Sequence, residues 1–464
     1  MKNHFFNALS YKTSCKIRQG LLKRIGIIWL FNFIIRTNTM NIGILGLGTV
    51  GGGVVNVLAK NQTEIKRRTG TQIQVTHAAI RDINQSRICS TDGIQLTQDP
   101  AEIVNNDSID IVLELMGGTG LAKELVETAI KNGKHVITAN KALIATHGNE
   151  LLALAKANNT HLLFEAAVAG GIPILKSLEQ GLSANQIEMV AGIINGTGNF
   201  ILTEMRDKGR DFDSVLKEAQ ELGYAEADPT FDVEGIDAAH KLAILAAIAF
   251  GCELQFDKVS TEGISEISGE DVAFATELGY SIKHLGIAKK LKGKIQMRVH
   301  PTLIPKTRLL ANVDGVMNAV LVQGNAVGST LYYGAGAGDE ATASAVIADL
   351  IDVIKGTVSG DVLGWKSFVA MPCQNHNDIE SIFYLRLLAT DKPGVLADIT
   401  AIFANHNISV EAVVQKQIDE QDNAHIAIIT NQVKTGDIQA AAAEIQNHDF
   451  IQEKIKIIHV ETLD

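Results

Sequence analysis

The stretch MNIGILGLGTVGGGVVNVL, residues 40–58, decides the fold of the segment that follows it. It reads as a short apolar strand, a glycine-rich turn and a helix, and the turn carries the pattern G-x-G-x-x-G. In that pattern the first glycine makes a tight turn, the second lets the backbone approach a pyrophosphate, and the third lets the helix pack closely on the strand. The N–H groups at the helix N-terminus attract phosphate. The stretch predicts a dinucleotide-binding unit, whose cofactor-binding residues are Gly46, Leu47, Gly48, Thr49, Val50 and Gly51.

Apolar strands alternate with helical stretches in the next hundred residues. The strands are expected within residues 73–80, 109–118, 133–145 and 160–175, and the helices at 121–132 and 148–158. Such alternation is typical of a doubly wound α/β domain of the Rossmann type, in which ligands bind at the carboxyl ends of the strands. Lys141 and Glu165 each follow a predicted strand, so both are candidates for a functional role.

The residue after the second strand bears on the choice of cofactor. An NAD-binding domain usually has an acid there, which accepts the ribose 2′-hydroxyl. This chain has Arg81 followed by Asp82. Because an arginine can pair with a 2′-phosphate, the sequence favours NADP(H), with NAD(H) as the alternative and a solvated arginine as the ordinary interpretation.

Length and charge limit the other possibilities. A chain of 464 residues should form two or three domains. Residues 1–39 hold seven basic residues and no acid, which leaves 34 basic and 52 acidic residues in the remainder, a net charge of −18. This charge argues against nucleic-acid binding. The four cysteines form no CxxC pair, so neither zinc nor disulfides are expected, and a reducing cytoplasm fits.

Residues 1–39 differ from the rest of the chain. Their apolar stretch at 25–35 is too short for a confident transmembrane helix, which needs about 20 residues. We expect these residues to be an extension that is either not native or disordered, with Met40 as the natural first residue. A signal or anchor is the alternative, and no membrane association is expected of the main body.

The rest of the chain suggests two further domains. Glycine-rich turns and strands after residue 186 predict a second domain, of the α+β class, with a mainly antiparallel or mixed sheet, and a helix near 339–356 should pack back on the first domain. The last 80 or so residues follow the order βαββαβ, which is ferredoxin-like. The expected boundaries are 40–170 for the first domain, 171–364 for the second, 365–380 for a linker and 381–464 for the third.

A cluster of acids precedes a lysine in GYAEADPTFDVEGIDAAHK, residues 223–241. Asp237 and Lys241 are four residues apart and share one face of a helix that is apolar nearly all round. An ordinary helix salt bridge is the plain interpretation. A buried ammonium, however, needs a carboxylate partner or loses its proton, which suits acid–base chemistry. Glu226, Asp228 and Asp232 could face the same cavity and bind a substrate that carries its own ammonium.

Residues 219–241 and several other blocks resemble the homoserine dehydrogenase family. The blocks occur in the family's order, at residues 46–51, 138–141, 164–174, 192–202 and 341–350. Residues 391–400 resemble an ACT domain, the amino-acid-sensing unit of many members. The resemblance implies reversible, NAD(P)H-dependent reduction of L-aspartate 4-semialdehyde to L-homoserine, a step in the biosynthesis of threonine, methionine and isoleucine.

The resemblance also implies roles for individual residues. Lys241 would donate a proton to the aldehyde oxygen, Asp237 would orient the reacting hydroxyl, and Lys141 would contact the nicotinamide end of the cofactor and help polarise the substrate. Glu226 matches the residue that binds the substrate ammonium, with Asp232 in support. Backbone positions lining the substrate and the nucleotide match Gly223 and Gly338.

A cation, an effector and an assembly are implied as well. Glu165 resembles part of a monovalent cation site, together with the backbone carbonyls of Val168, Gly170 and Ile172, and oxygen ligands suit sodium. Residues 171–364 would form the catalytic and dimerisation domain. Threonine is the suspected effector at the ACT domain, and a homodimer or homotetramer is expected. The chain departs from the family at Glu340-Ala341, where many members have a proline, and after residue 305, where a histidine–proline pair is missing.

Two other functions remain open on the sequence alone. An aldehyde-oxidising semialdehyde dehydrogenase would need a thiolate nucleophile, for which Cys89, Cys252 and Cys373 are poorly placed. A non-catalytic amino-acid sensor built on an inactive Rossmann domain would have no need of Lys141, Asp237 and Lys241.

Overall fold

The computed structural model describes residues 39–358, 363–417 and 423–463. The expectation for residues 1–39 therefore lies outside the described part, apart from Thr39. No helix in the described ranges is long and apolar enough to cross a membrane.

A six-stranded parallel sheet forms the first layer of the molecule. Its spatial order is β3-β2-β1-β4-β5-β6, the order characteristic of the Rossmann fold. The strands are β1 (Thr39–Leu45), β2 (Gln72–Ala79), β3 (Gln95–Thr97), β4 (Ile111–Glu114), β5 (His135–Thr138) and β6 (Leu162–Leu163). The helices are α1 (Thr49–Lys60), α2 (Gln62–Thr69), α3 (Ala101–Val104), α4 (Gly120–Lys131) and α5 (Lys141–Ala157).

The second part of the chain builds a mixed sheet and the helices that cover it. Its strands are β7 (Ile187–Ile193), β8 (Ser260–Thr261), β9 (Tyr280–Leu291), β10 (Lys294–Pro305), β11 (Met317–Gly324) and β12 (Gly328–Ala335). Its helices are α6 (Ile174–Lys176), which continues as a π-helical turn (Ser177–Gly181), α7 (Gly196–Lys208), α8 (Phe212–Glu221), α9 (Thr230–Val233), α10 (Ile236–Phe250), α11 (Gly269–Glu277) and α12 (Asp339–Lys355). Single 3-10 turns occur at Glu165–Ala167, Phe256–Lys258, Leu309–Asn312 and His376–Asp378.

Helix α12 returns to the first sheet. Its apolar face, which includes Val346 and Leu350, shares a core with Ile42 and Ile44 of β1 and with Val54 of α1. Helix α10 lies between the two sheets and contributes to one core with residues of α5 and β7. This position explains why α10 is apolar on nearly every face.

The last part of the chain has the ferredoxin-like order βαββαβ. Its elements are β13 (Glu380–Thr390), α13 (Val395–Asn405), β14 (Val410–Gln417), β15 (Asn423–Thr430), the short β16 (Val433–Lys434), α14 (Thr435–Gln446) and β17 (Lys456–Val460). The spatial order of the four main strands is β17-β13-β15-β14.

This last part is joined to the second sheet rather than set apart from it. Strand β17 pairs in parallel with β10, with Thr302 opposite His459, so one continuous sheet runs from β12 to β14. The segment expected to be a linker is irregular but attached. The Trp365 indole N–H donates to the carbonyl of Ile248 at 2.7 Å. Two isolated backbone β-bridges add to this contact: Val369 pairs with Cys252, and Cys373 pairs with Ile295. These contacts were not foreseen from the sequence.

Candidate active site

A cleft of about 560 Å³ opens where the first sheet meets the second. Its wall is formed by the start of α5, the turn before α7, the acidic loop before α9, one face of α10, and the segments 316–318 and 335–338. The start of α5 follows the carboxyl end of a parallel strand, which is the edge of a Rossmann sheet where ligands bind. The cleft lining includes Lys141, Gly223, Glu226, Asp232, Asp237, Lys241 and Gly338.

Lys241 is held at the base of this cleft by two acceptors. Its ammonium donates to Asp237 Oδ2 and to the carbonyl of Ile194, both at 2.7 Å, and its side chain is only 12% exposed. Burial lowers the pKa of Lys241 below its ordinary value, and the attraction of Asp237 offsets part of this effect. Lys241 is therefore an amine that gives up its proton more readily than a surface lysine.

Asp237 binds two ammonium groups at once. Its Oδ1 lies 2.9 Å from Lys141 Nζ, while Oδ2 faces Lys241. Burial would raise the pKa of Asp237, but the two lysines lower it, so the carboxylate stays ionised. Lys141 is more exposed, at 36% of its side chain; burial opposes its charge, but Asp237 with Asp232 and Glu226 raises its pKa. Lys141 therefore keeps its proton where Lys241 can release one.

Asn195 connects two of the acids, and its role was not foreseen from the sequence. Its Nδ2 donates to Asp232 Oδ1 at 2.7 Å and to Asp237 Oδ2 at 2.9 Å, while its Oδ1 caps α7 by accepting from the N–H of Gly198. Burial raises the pKa of Asp232, against the effect of the Asn195 hydrogen bond. An asparagine that follows a buried strand and starts a helix was the available signal.

The acidic loop lies at the mouth of the cleft. Glu226 is exposed and lines the cleft, and Gly223 has a φ of +75°, which favours glycine. The hydroxyl of Thr197 donates to the carbonyl of Tyr224 at 2.6 Å and ties this loop to α7. Asp228 does not line the cleft, contrary to expectation; it is exposed and accepts from the hydroxyl and N–H of its neighbour Thr230.

The glycine turn after β1 has the shape that a dinucleotide requires. A β-carbon on Gly46 would lie 2.7 Å from the carbonyl oxygen of Leu115, and one on Gly51 would lie 2.2 Å from the carbonyl oxygen of Gly46. At Gly48 no heavy atom lies within 4 Å of that position, so the backbone there is open to a ligand. No side chain caps α1, which leaves its first N–H groups for phosphate. These residues fit a bound dinucleotide.

Arg81 and Gly338, the other two cofactor residues predicted from the sequence, lie outside the glycine turn. Arg81 follows β2 and is exposed, and its backbone carbonyl accepts from Gln98 Nε2 at 2.7 Å. Gly338 has a φ of +127° and precedes α12. The segment before α12 lies tightly against the first domain, because a β-carbon on Gly170 would be 2.4 Å from the carbonyl oxygen of Gly336.

The predicted cation site is a buried carboxylate beside a helix start. Glu165 accepts from the N–H groups of Leu175 and Lys176, one with each oxygen, at 2.9 and 2.8 Å. Burial and the neighbouring Asp349 raise the pKa of Glu165 to about 8. The Ile172 carbonyl accepts from Ile174 N, whereas the carbonyls of Val168 and Gly170 accept no hydrogen bond from the described residues. The carbonyls of Val168 and Gly170 keep lone pairs free, and oxygen atoms of this kind are what a monovalent cation takes as ligands.

Glu114 is a second residue that the sequence did not single out. It ends β4, is fully buried, and accepts from the N–H groups of Met116 and Gly117 and from the Thr138 hydroxyl at 2.6 Å. An acid at the end of an otherwise apolar buried strand was the signal. Its hydrogen bonds shape the loop beside the glycine turn.

A Rossmann sheet with an open glycine turn, facing a cleft with a lysine–aspartate–lysine cluster, defines a dinucleotide-dependent oxidoreductase. Family models match three parts of the chain: "Homoserine dehydrogenase, NAD binding domain" at residues 46–165, "Homoserine dehydrogenase" at 173–351 and "ACT domain" at 383–450. The chain belongs to the homoserine dehydrogenase family, whose members are oxidoreductases acting on a CH–OH group.

Known proteins agree with this assignment. The homoserine dehydrogenase of Pseudomonas aeruginosa is 53% identical over 433 residues, which cover 92% of this chain and 99% of that protein. The crystal structure of a homoserine dehydrogenase from Thiobacillus denitrificans has a TM-score of 0.87 at 53% identity and covers 92% of this chain and 99% of its own. A mutant of a hyperthermophilic archaeal homoserine dehydrogenase in complex with NADPH has a TM-score of 0.58 at 27% identity, over 69% of this chain and 99% of its own.

Proposed function

We propose that this enzyme catalyses the reversible reduction of L-aspartate 4-semialdehyde to L-homoserine with NADP(H), with NAD(H) as the weaker cofactor. The observation that carries the proposal is the buried ammonium of Lys241, held 2.7 Å from Asp237 at the base of the cleft. The archaeal relative whose structure contains NADPH supports the choice of cofactor, as does Arg81 after β2.

The residues of the cleft divide the reaction between them. When bound, the nicotinamide supplies a hydride to the aldehyde carbon. Lys241 protonates the oxygen that gains negative charge, and Lys141, which keeps its own proton, stabilises that charge. Asp237 holds both ammonium groups in place. In the reverse direction, neutral Lys241 accepts the proton of the homoserine hydroxyl.

The acidic mouth of the cleft suits the other end of the substrate. We assign the substrate ammonium to Glu226, supported by Asp232, with Gly223 shaping the loop; these residues line the same cleft as Lys241. Glu226→Gln should raise KM for homoserine and leave kcat nearly unchanged, because it removes an attraction present equally in the ground and transition states. A KM equal to the wild-type value would move the ammonium to another acid.

A direct assay tests the reaction. Oxidation of NADPH and of NADH is followed at 340 nm with aspartate 4-semialdehyde as substrate. We expect turnover with both nucleotides and a higher kcat/KM with NADPH. If neither NADPH nor NADH supports turnover, the result would contradict the proposal and favour a non-catalytic sensor.

The thiol-dependent alternative finds little support in the cleft. Burial raises the pKa of Cys89 and Cys373 and raises that of Cys252 to about 11, so all three thiols are poor nucleophiles. None of the three lines the cleft. Phosphate-dependent oxidation of the semialdehyde that iodoacetamide blocks would revive this alternative.

We also propose that the reaction is a step in the biosynthesis of threonine, methionine and isoleucine, and that threonine inhibits the enzyme by binding to the ACT domain. A pocket there is lined by residues 390–397 and by Gln415, whose Nε2 donates to Asp391 Oδ1 at 3.1 Å. Gly394, with a φ of +101°, starts α13 beside it. Threonine should lower the rate of the wild-type enzyme and have less effect on Gln415→Ala. Equal rates with and without millimolar threonine would contradict regulation by this amino acid.

Sodium, assembly and compartment complete the proposal. Glu165 and the carbonyls of Val168, Gly170 and Ile172 would hold the ion and brace the loop before α6. Thermal stability in sodium chloride should exceed that in choline chloride at equal ionic strength.

The edge strands β12 and β14 have no outer neighbour among the described residues. Open edges of this kind support a homodimer or homotetramer, which analytical ultracentrifugation can measure. Three free thiols support a reducing cytoplasm.

A further inference from the structure

Arg87 lies across the two backbone segments that flank the adenine ribose in a Rossmann fold. Its Nη1 donates to the carbonyl of Leu47, inside the glycine turn, at 3.1 Å. Its Nη2 donates to the carbonyl of Asp82, just after β2, at 2.6 Å. The guanidinium therefore joins the turn that binds the pyrophosphate to the segment that reads the ribose 2′ position.

The loop that carries Arg87 is fixed on α1. The side-chain amide of Asn56 donates to the carbonyl of Ile88 at 3.0 Å. A β-carbon on Gly52 would lie 2.5 Å from Ile88 Cγ1, so the glycine lets this loop lie directly on the helix. Arg87 is thus placed by contacts on both sides and is not a free surface side chain.

Among the described residues, no carboxylate forms an ion pair with Arg87. Neither Arg81 nor Arg87 forms an ion pair within the described ranges, and Nε of Arg87 is buried with no hydrogen-bond partner there. One oxygen of the nearby Asp82 carboxylate accepts from the N–H of Asn84 at 2.9 Å, within its own loop. Two guanidinium groups that lack a carboxylate partner, close to where the adenine ribose binds, favour a cofactor with a 2′-phosphate dianion over one with a 2′-hydroxyl.

We propose that Arg87 is a second ligand of the cofactor's 2′-phosphate and that, with Arg81, it sets the preference for NADP(H). The inference rests on the proposed function for the identity of the cofactor. It differs from the assignment of Arg81 because Arg87 lies six residues further along and also braces the glycine turn through Leu47.

Nucleotide fragments test the proposal without turnover. Isothermal titration with 2′,5′-ADP and with 5′-AMP compares wild type, Arg87→Ala and Arg87→Lys. Arg87→Ala should weaken binding of 2′,5′-ADP about tenfold or more and change binding of 5′-AMP little, since about tenfold corresponds to the loss of one charge-assisted contact. Arg87→Lys should fall between, because lysine keeps the charge but not the fork.

A matched arginine on the same domain serves as the control. Arg68 is exposed on α2 and pairs with Glu64, so Arg68→Ala should bind both fragments as wild type does. An equal loss of both fragments in Arg87→Ala would make Arg87 only a brace of the glycine turn, and unchanged binding of both would remove it from the site. If Arg87→Ala does not fold, the test rests on Arg87→Lys. The proposal is overturned if the ratio of its affinities for 2′,5′-ADP and 5′-AMP equals that of the wild type.

Failure of the wider proposal would look different. A wild-type protein that binds 2′,5′-ADP no better than 5′-AMP would overturn the NADP(H) preference itself. A wild-type protein that discriminates between the fragments but does not reduce aspartate 4-semialdehyde would overturn the reaction and leave the role of Arg87 standing.

Discussion

The two lysines that share Asp237 differ in what burial does to them. The Lys241 side chain is 12% exposed and that of Lys141 is 36% exposed. Burial outweighs the attraction of Asp237 at Lys241 and lowers its pKa, whereas at Lys141 the acids outweigh burial and its pKa is raised. One carboxylate therefore holds one lysine that releases its proton readily and one that stays charged, and the reduction of an aldehyde that we propose would use both.

Lys241→Ala should lower kcat about 100-fold or more while NADPH binding stays near normal. The variant removes the proton donor, which contributes a factor of roughly 10²–10⁴, but leaves the glycine turn intact. Steady-state kinetics and nucleotide titration by fluorescence measure the two effects. A variant with wild-type turnover would exclude Lys241 as the acid.

Asp237→Asn should move the pH dependence of kcat. In the reductive direction the rate falls as the pH rises through the pKa of Lys241, because only the ammonium can donate. Asp237 raises that pKa, so its removal should shift the fall to lower pH. Asp228→Asn is the matched control, since Asp228 is exposed and outside the cleft. A shift to higher pH, or none, would count against the assigned coupling.

Close contact between helices places the cofactor domain over the cleft. Helices α1 and α12 come together at Gly53, where a β-carbon would lie 2.5 Å from the carbonyl oxygen of Asp339. Asp339 begins α12, and the segment just before it lines the cleft. The spacing of the two helices therefore also sets the position of the cleft wall.

Gly53→Ala should destabilise the protein by about 1–3 kcal/mol, because the backbone of α12 must move to admit the methyl group. The same shift should weaken NADPH binding. The control is Gly269→Ala at the first residue of α11, where no heavy atom lies within 4 Å; it should be neutral or stabilising by up to about 1 kcal/mol. Urea unfolding measures both variants, and similar midpoints for the two would argue that the helices separate freely.

The continuous sheet makes the ACT domain part of the catalytic body. Beside the β10–β17 pairing, Glu461 accepts from Arg298 at 2.6 Å and from Lys289 at 2.8 Å, and Arg298 is 1% exposed. Burial would raise the pKa of Glu461, but the two cations lower it, so its carboxylate stabilises the fold above about pH 4.5 and loses that effect as the pH falls.

Glu461→Gln should therefore destabilise the whole molecule by about 3–5 kcal/mol at neutral pH, since it leaves a buried guanidinium without its carboxylate. Glu266→Gln is the control. Glu266 pairs with Lys454 and Lys456 but is itself 61% exposed at the side chain, so the change should be within about 0.5 kcal/mol. Thermal unfolding at pH 7 and below pH 4.5 should show the difference between Glu461→Gln and wild type shrinking in acid. Equal losses of stability in Glu461→Gln and Glu266→Gln would mean that the ion pairs beside the β10–β17 pairing stabilise the fold no more than a surface ion pair does.

Local patterns in the sequence determined the Rossmann unit, the βαββαβ order of the last part and the pairing of Asp237 with Lys241. Glycine spacing, strand and helix periodicity and the i, i+4 relation all act over a few residues, so they can be read without coordinates. Family resemblance added the reaction and the other cleft residues.

Tertiary structure alone decided which distant groups meet. Lys141 reaches Asp237 from the other domain, Asn195 links Asp232 to Asp237, Arg87 lies on the glycine turn, and Asp228 turns outward. The joining of β17 to β10 belongs here too. No local pattern encodes these contacts, because they depend on how separate elements pack, and packing is set by the fit of whole surfaces rather than by the spacing of residues along the chain.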